Sequence, residues 1–356
     1  MQTPSSLPPS LSRLVFLALL LGACSGASST ELFERGAGGA APSASPSASP
    51  TDTPSPGMTD DDAAAQTPDG GKKDATSPTP PAQPKNPMAG AGAVTKVAVG
   101  YGSLEGPVWR SASSSLFFSD LDGNSIERFA PPATFSTYRF PSGGSNGLAV
   151  DAQGQLVVCE GKNRRVTRTP SNGGAPEIIA AEWQGAKLNA PNDVIVRSDG
   201  TVYFTDPDYS VQGARELEFN GVYRVGPNMV MALVADDLAK PNGIALSPSG
   251  ATLYVTDEAS GFIRAYDVAS DGATSNPRKF AEASHPDGMA VDDTGNVYVA
   301  VETGIAIFAP DGSSWGTLPV PQQPANVAFG GSTGKTLFIT ALDTLYAVDL
   351  EVAGPP

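Results

Sequence analysis

Histidine occurs once in the 356 residues, at position 285, and cysteine twice, at positions 24 and 159. So small a stock excludes a zinc site built from the usual histidine and cysteine ligands. It also leaves His285 as the only base on which a Ser-His-Asp relay could be assembled. Cations are scarce: 22 Lys and Arg stand against 37 Asp and Glu, a formal net charge of −15. With no surplus of positive groups to neutralise phosphates, nucleic acid is not expected as a partner. Long apolar runs are missing too, and LVFLALLLGA at residues 14–23 is too short to span a bilayer as a helix. No helical period is found. What is present is short β-branched and aromatic stretches separated by Gly, Pro, Asn and Asp.

One cation, Arg13, precedes the apolar run, which ends in small residues, the pattern of a secretory leader over residues 1–23. Leu21, Gly22, Ala23 and Cys24 resemble the lipobox of bacterial lipoproteins, so Cys24 is expected to be the acylated first residue of the mature chain. Cys159 is then left with no partner for an intrachain disulfide. Residues 24–92 are almost entirely Ala, Gly, Ser, Thr, Pro and Asp, with too few apolar side chains to offset the entropy of ordering. They read as a disordered, partly polyproline spacer. The expectation is an exported protein on the bacterial cell envelope, touching the membrane through its lipid alone. The folded domain covers residues 93–356, with a monomer favoured.

Within that domain one phrase recurs: a polar residue, a strand of about five residues, a Gly-containing turn and a second strand. It is written EGPVWRSASSSLFFSD, NGLAVDAQGQLVVCE, NDVIVRSDGTVYFTD, NGIALSPSGATLYVTD, DGMAVDDTGNVYVAV and NVAFGGSTGKTLFIT. The phrases open at Glu105, Asn146, Asn192, Asn242, Asp287 and Asn326. Their spacing of about 40–50 residues is the length of one four-stranded blade. The fold class is therefore all-β, a six-bladed β-propeller. The sixth phrase is followed only by TLYAVDL, and VTKVAVG at the start of the domain has no blade of its own. The N-terminal strand is expected to complete the last blade and leave no open edge.

The first strand of each propeller blade lines the axis, so the six opening residues form a ring at one mouth of the tunnel. Two carboxylates and four amides crowded there call for a compensating cation. An all-oxygen set suits a hard divalent ion, Ca²⁺ before Mg²⁺, with other divalent cations admitted. Glu105, Asn192, Asn242 and Asp287 are the favoured ligands, Asn146 and Asn326 the weaker candidates. The plainer reading is that Asn-Gly and Asp-Gly make turns; against it stand the shared position and the presence of a Glu. Asp120, Glu160, Asp206 and Asp257, at the ends of the second strands, are expected to bond backbone amides.

These residues resemble the gluconolactonase, regucalcin and senescence-marker family of six-bladed propellers. The resemblance runs through EGPVW, NGLAVD, APNDVIVRSDGTVYFTDP, GVYRV, PNGIALSPSGATLYVTD, HPDGMAVDDTGNVYVA and NVAFGG. It implies a metal on Glu105, Asn192, Asn242 and Asp287 and hydrolysis of a sugar lactone. Animal members of the family carry a substrate-contacting arginine where this chain has Ala190, with Asn189 and Lys187 nearby. A family glutamate corresponds to Glu216. Asn189, Glu216 and His285 are accordingly the expected substrate-binding residues. The expected chemistry is a lactone carbonyl polarised by the metal and water activated by Asp287 or Glu105. His285 has the parity to face the same mouth and pass a proton to the ring oxygen, although a loop histidine before a proline needs no role. Two alternatives stand beside this reading: an esterase or phosphotriesterase at the same metal, and a noncatalytic binding propeller in which calcium is a staple.

Overall fold

In the computed structural model the described residues are 86–355; the leader, Cys24 and most of the spacer lie outside the described residues. The strands that read as unbroken apolar stretches, Ser115–Asp120, Leu156–Glu160, Val202–Asp206 and Val297–Val301, are buried along their whole length. They have a neighbouring sheet on each face, so both sets of alternating side chains need apolar surroundings. The outermost strands, such as Thr134–Arg139 and Thr274–Glu282, are mostly exposed and correspondingly polar.

Six four-stranded antiparallel sheets follow one another along the chain, five of them made of four consecutive strands. Their innermost strands are Leu104–Arg110, Ser145–Val150, Val194–Val196, Pro241–Leu246, Met289–Val291 and Asn326–Gly330, numbered here as blades 1 to 6. Blade 6 takes its fourth strand from the start of the domain: Thr95–Val99 pairs antiparallel with Thr344–Asp349, Thr95 opposite Ala347 and Val99 opposite Thr344. A three-residue 3₁₀ turn, Ser111–Ser113, is the one helical element among the described residues.

The core lies between blades. Cys159, Val166 and Val157 of blade 2 pack with Val194, Phe204 and Tyr223 of blade 3. Leu104, Phe118 and Phe129 of blade 1 pack with Phe338 and Leu345 of blade 6, which closes the ring. Trp109 stacks on Phe338 across that closure, 5.8 Å between ring centroids and 8° from parallel. Each such fully buried aromatic or aliphatic side chain contributes about 1.5–3 kcal/mol. Packing extends back to Met88 and Ala91, which lie against the blade 6 cluster, and the Gly92 amide donates to Asp349 O at 2.8 Å.

Candidate active site

Five of the six opening residues sit on β-bulges. In blades 1, 2 and 4 the pairing of first and second strands slips by one residue between Glu105 and Val108, Ser145 and Leu148, and Pro241 and Ile244. In blade 3 Asn192 N donates to Thr205 O while Thr205 N donates to Asp193 O, two residues facing one; Asp287 and Gly288 face Ala300 in the same way in blade 5. A bulge turns the extra residue out of the ladder and re-aims its side chain. Blade 6 pairs in regular register from Asn326 onward.

These bulges converge on a cavity of about 440 Å³ lined by Glu105, Asn146, Asn192, Asn242 and Asp287. Asn326 is not among its lining residues: its Oδ1 accepts from the Val327 amide at 2.8 Å, and its side chain bonds Glu105 and Asp193. The glycines after the openers are required by close approach of adjacent blades more than by turns. At Gly106, with φ of +46°, a Cβ would lie 2.1 Å from Asn146 O; at Gly288 it would lie 2.0 Å from Asn326 Cγ.

Three of the openers are also held by a hydroxyl of the preceding blade. Ser119 Oγ donates to Asn146 O at 2.7 Å, Thr205 Oγ1 to Asn242 O at 2.6 Å and Thr256 Oγ1 to Asp287 O at 3.0 Å. The acids ending the second strands pin the loops that lead in, as expected. Asp120 accepts from the Gly102 and Gly123 amides, Asp257 from those of Ala239 and Lys240, and Asp206 from that of Asn189. Glu160 is instead buried among Arg139 at 2.6 Å, Arg165 at 2.7 Å and Asn163 at 2.7 Å, and these bonds hold its carboxyl below the usual carboxylate range.

The centre is electrostatically uncompensated. Burial, with Asp193 alongside, pushes the Glu105 carboxyl up to about 8. Asp287 is pushed well above the carboxylate range by burial and then by Glu105 and Asp193. Asp193, next to Asn192, is pushed up to about 6 by burial even though its two oxygens accept from the Val194 and Ile244 amides. The buried Oδ1 of Asn146 has no hydrogen-bond partner among the described residues. Among those residues there is also no cluster of three or more His, Cys, Asp or Glu arranged for a metal, so the donor set is carboxylates mixed with amides. Such a set fits a hard divalent cation, which would supply the missing positive charge.

His285 is at the rim, 59% exposed, its Nδ1 3.8 Å from Glu258 Oε1, and it lines the cavity. The structure places Asn189 and Glu216 behind the wall instead of in it. Asn189 is fully buried and is not among the cavity's lining residues; its Nδ2 donates to Asp206 O at 3.0 Å and Phe219 O at 2.9 Å, while its Oδ1 has no hydrogen-bond partner among the described residues. Glu216 accepts from the Lys187 amide at 2.9 Å and lies 3.5 Å from the buried Arg164, whose Nε donates to Leu188 O at 2.6 Å. Both residues support the stretch carrying Ala190 and Asn192.

The sequence reading missed Tyr209, Glu258 and Lys162, all of which line the cavity. Glu258 follows the second strand of blade 4, which returns to this mouth, a placement that could have flagged it. Asp193 stands where blades 1, 2, 4 and 5 have glycine, a break in the repeat that could have flagged it as well. Gly143-Gly144-Ser145-Asn146-Gly147 also matches the Gly-x-Ser-x-Gly pattern of a nucleophile elbow. Ser145 is fully buried and donates to Ser125 O at 3.4 Å, which makes it part of the scaffold.

Fold and site together define a six-bladed propeller with a polyoxygen cavity at one end of its axis. The profile of the SMP-30/Gluconolactonase/LRE-like region matches residues 104–343, and the chain belongs to that family. A gluconolactonase from Zymomonas mobilis is 33% identical over 281 residues, 70% of this chain and 79% of that one. A pentonolactonase, XacC, from Haloferax volcanii is 26% identical over 66% of this chain and 80% of its own. The solved structure of a gluconolactonase from Xanthomonas campestris superposes with a TM-score of 0.70 at 33% identity, covering 74% of this chain and 91% of that one.

Proposed function

We propose that the protein hydrolyses a sugar lactone in this cavity with a divalent cation, Ca²⁺ in first place, held by Glu105, Asn192, Asn242 and Asp287. The observation that carries the reading is the buried, uncompensated pair Glu105 and Asp287 on the cavity wall, in a chain whose relatives are named as lactonases. Calcium is preferred because the donors are oxygens on separate blades, a wide cage that suits a larger ion. Bound there, the cation would supply Lewis acidity to an ester carbonyl and to a neighbouring water.

Asp287 takes the proton of the attacking water as that oxygen joins the carbonyl carbon, with Glu105 the second carboxylate in reach. The carbonyl carbon then releases the ring oxygen, which gains a proton, and the product is the open-chain hydroxy acid. His285, exposed at the rim, is the proton donor on the leaving side. The cavity, larger than a single hexose ring, admits both five- and six-membered lactones. Export and acylation at Cys24 complete the reading, supported by the leader and the spacer. A Cys24→Ala chain expressed in a Gram-negative host is expected in the soluble fraction, the parent chain in the membrane fraction.

The test is a pH-indicator assay of D-glucono-1,5-lactone with the full chain, before and after chelation and with calcium restored. Hydrolysis above background that vanishes on chelation and returns with calcium supports the proposal. No lactone turnover by folded, metal-loaded protein overturns it and directs the search to aryl esters and phosphotriesters.

A further inference from the structure

The amide of Asn242 has two faces, and only one can serve a cation: Oδ1 must face the cavity and Nδ2 must face away. Tyr209 settles which. Its hydroxyl lies 3.1 Å from Asn242 Nδ2 and 2.8 Å from Glu258 Oε2. A phenol has one proton, and a carboxylate oxygen is an acceptor, so the Tyr209 proton is committed to Glu258. The phenol oxygen can then only accept, and it accepts from the amide nitrogen. A reversed amide would bring Asn242 Oδ1 against that oxygen, two acceptors with no proton between them.

The neighbourhood holds Tyr209 for this task. Lys240 lies over its ring, 4.7 Å from Nζ to the centroid, and pairs with Asp208, which also binds Arg215 at 2.9 Å. The backbone of Asn242 is fixed separately, by Thr205 Oγ1 donating to its carbonyl. The loop 207–216 is thus stapled to blade 4 at the residue that presents the amide.

We infer that Tyr209, with its proton fixed by Glu258, is a positioning residue that orients the Asn242 amide so that its oxygen faces the cation. This rests on the reading of Asn242 as a ligand. Replacing the tyrosine by phenylalanine deletes one oxygen and leaves the ring under Lys240. Glu258→Ala releases the phenol proton and lets the amide reverse, so it has the same consequence by a different route. In an Asn242→Asp background both side-chain oxygens are equivalent, and there is nothing left to orient.

The experiment is calorimetric titration of chelator-treated full-length chain with calcium chloride, beside thermal melting of the metal-free proteins. Tyr209→Phe and Glu258→Ala are each expected to weaken calcium binding by about 10–100-fold, the usual effect of losing a hydrogen-bond partner of a metal ligand. In the Asn242→Asp background Tyr209→Phe should change affinity by less than about twofold, the limit of independent action. Equal calcium affinity in Tyr209→Phe and the parent overturns the inference. So does an equal loss in both backgrounds, which would mean that Tyr209 merely packs. If the parent itself binds no calcium while the folded chain still hydrolyses lactone, the ligand assignment falls and this inference falls with it.

Discussion

Asn146 and Asn326 open equivalent repeats, yet one lines the cavity and the other is spent on Val327, Glu105 and Asp193. The difference is the bulge, present at Asn146 and missing at Asn326. That Glu105, Asn192, Asn242 and Asp287 share one cavity was legible because polar residues at one fixed point of a repeat must share one place in the ring. Tyr209 was not, because it comes from a loop whose path is set by Asp208, Lys240 and Arg215. Three outcomes belong at this scale. Asp287→Asn is expected to lower kcat by about 10²–10⁴ with the fold retained, checked by steady-state kinetics and circular dichroism. Glu105, pushed up to about 8, is largely protonated in the metal-free chain at neutral pH, and calcium needs the carboxylate. Calcium affinity should therefore fall as pH drops below about 8, with proton release on binding visible in calorimetry across buffers of different ionisation enthalpy. Asp206, pushed by burial from 3.8 up to about 7, binds its proton more tightly folded than unfolded. Its contribution favours the fold at low pH and is lost as pH rises between those two values, so Asp206→Asn should flatten that part of the denaturation profile.

At the scale of elements, the second strand of each blade was plain in the sequence because burial on both faces leaves a continuous apolar stretch. The first strands were plain in position but not in form. Their Asn-Gly and Asp-Gly pairs suggested turns, whereas the glycines mark bulges where one blade's backbone meets the next. Gly288→Ala tests this: the added Cβ meets Asn326 Cγ at 2.0 Å, with φ itself unstrained. Overpacking of this kind is expected to cost about 1–3 kcal/mol in chemical denaturation and to weaken calcium binding through Asp287. Thr256→Val keeps the shape but removes the donor to Asp287 O, leaving a buried carbonyl short of a partner at a cost of about 1–3 kcal/mol; Thr256→Ser should recover most of it.

For the whole molecule the decisive step is closure. Val97 and Ala98 pack on the cluster that joins blades 1 and 6, and their strand covers the edge of Thr344–Asp349. A chain lacking residues 86–100 would expose that edge, and it is expected to melt lower and to self-associate, read by light scattering and size exclusion. The count of six, the displaced first strand and the oxygen donors at the blade openings followed from the sequence by itself. Repeats, strand patterns and residue stocks are local or additive properties, and order along the chain preserves them. Tertiary structure alone decided that Asn326 turns away, that Asp193 joins Glu105 and Asp287 at the centre, and that Asn189 and Glu216 stand behind the wall. It alone brought Tyr209 to Asn242. Those outcomes depend on one-residue slips in register and on hydrogen bonds between blades, which no composition or spacing records, because they exist only once the ring has closed.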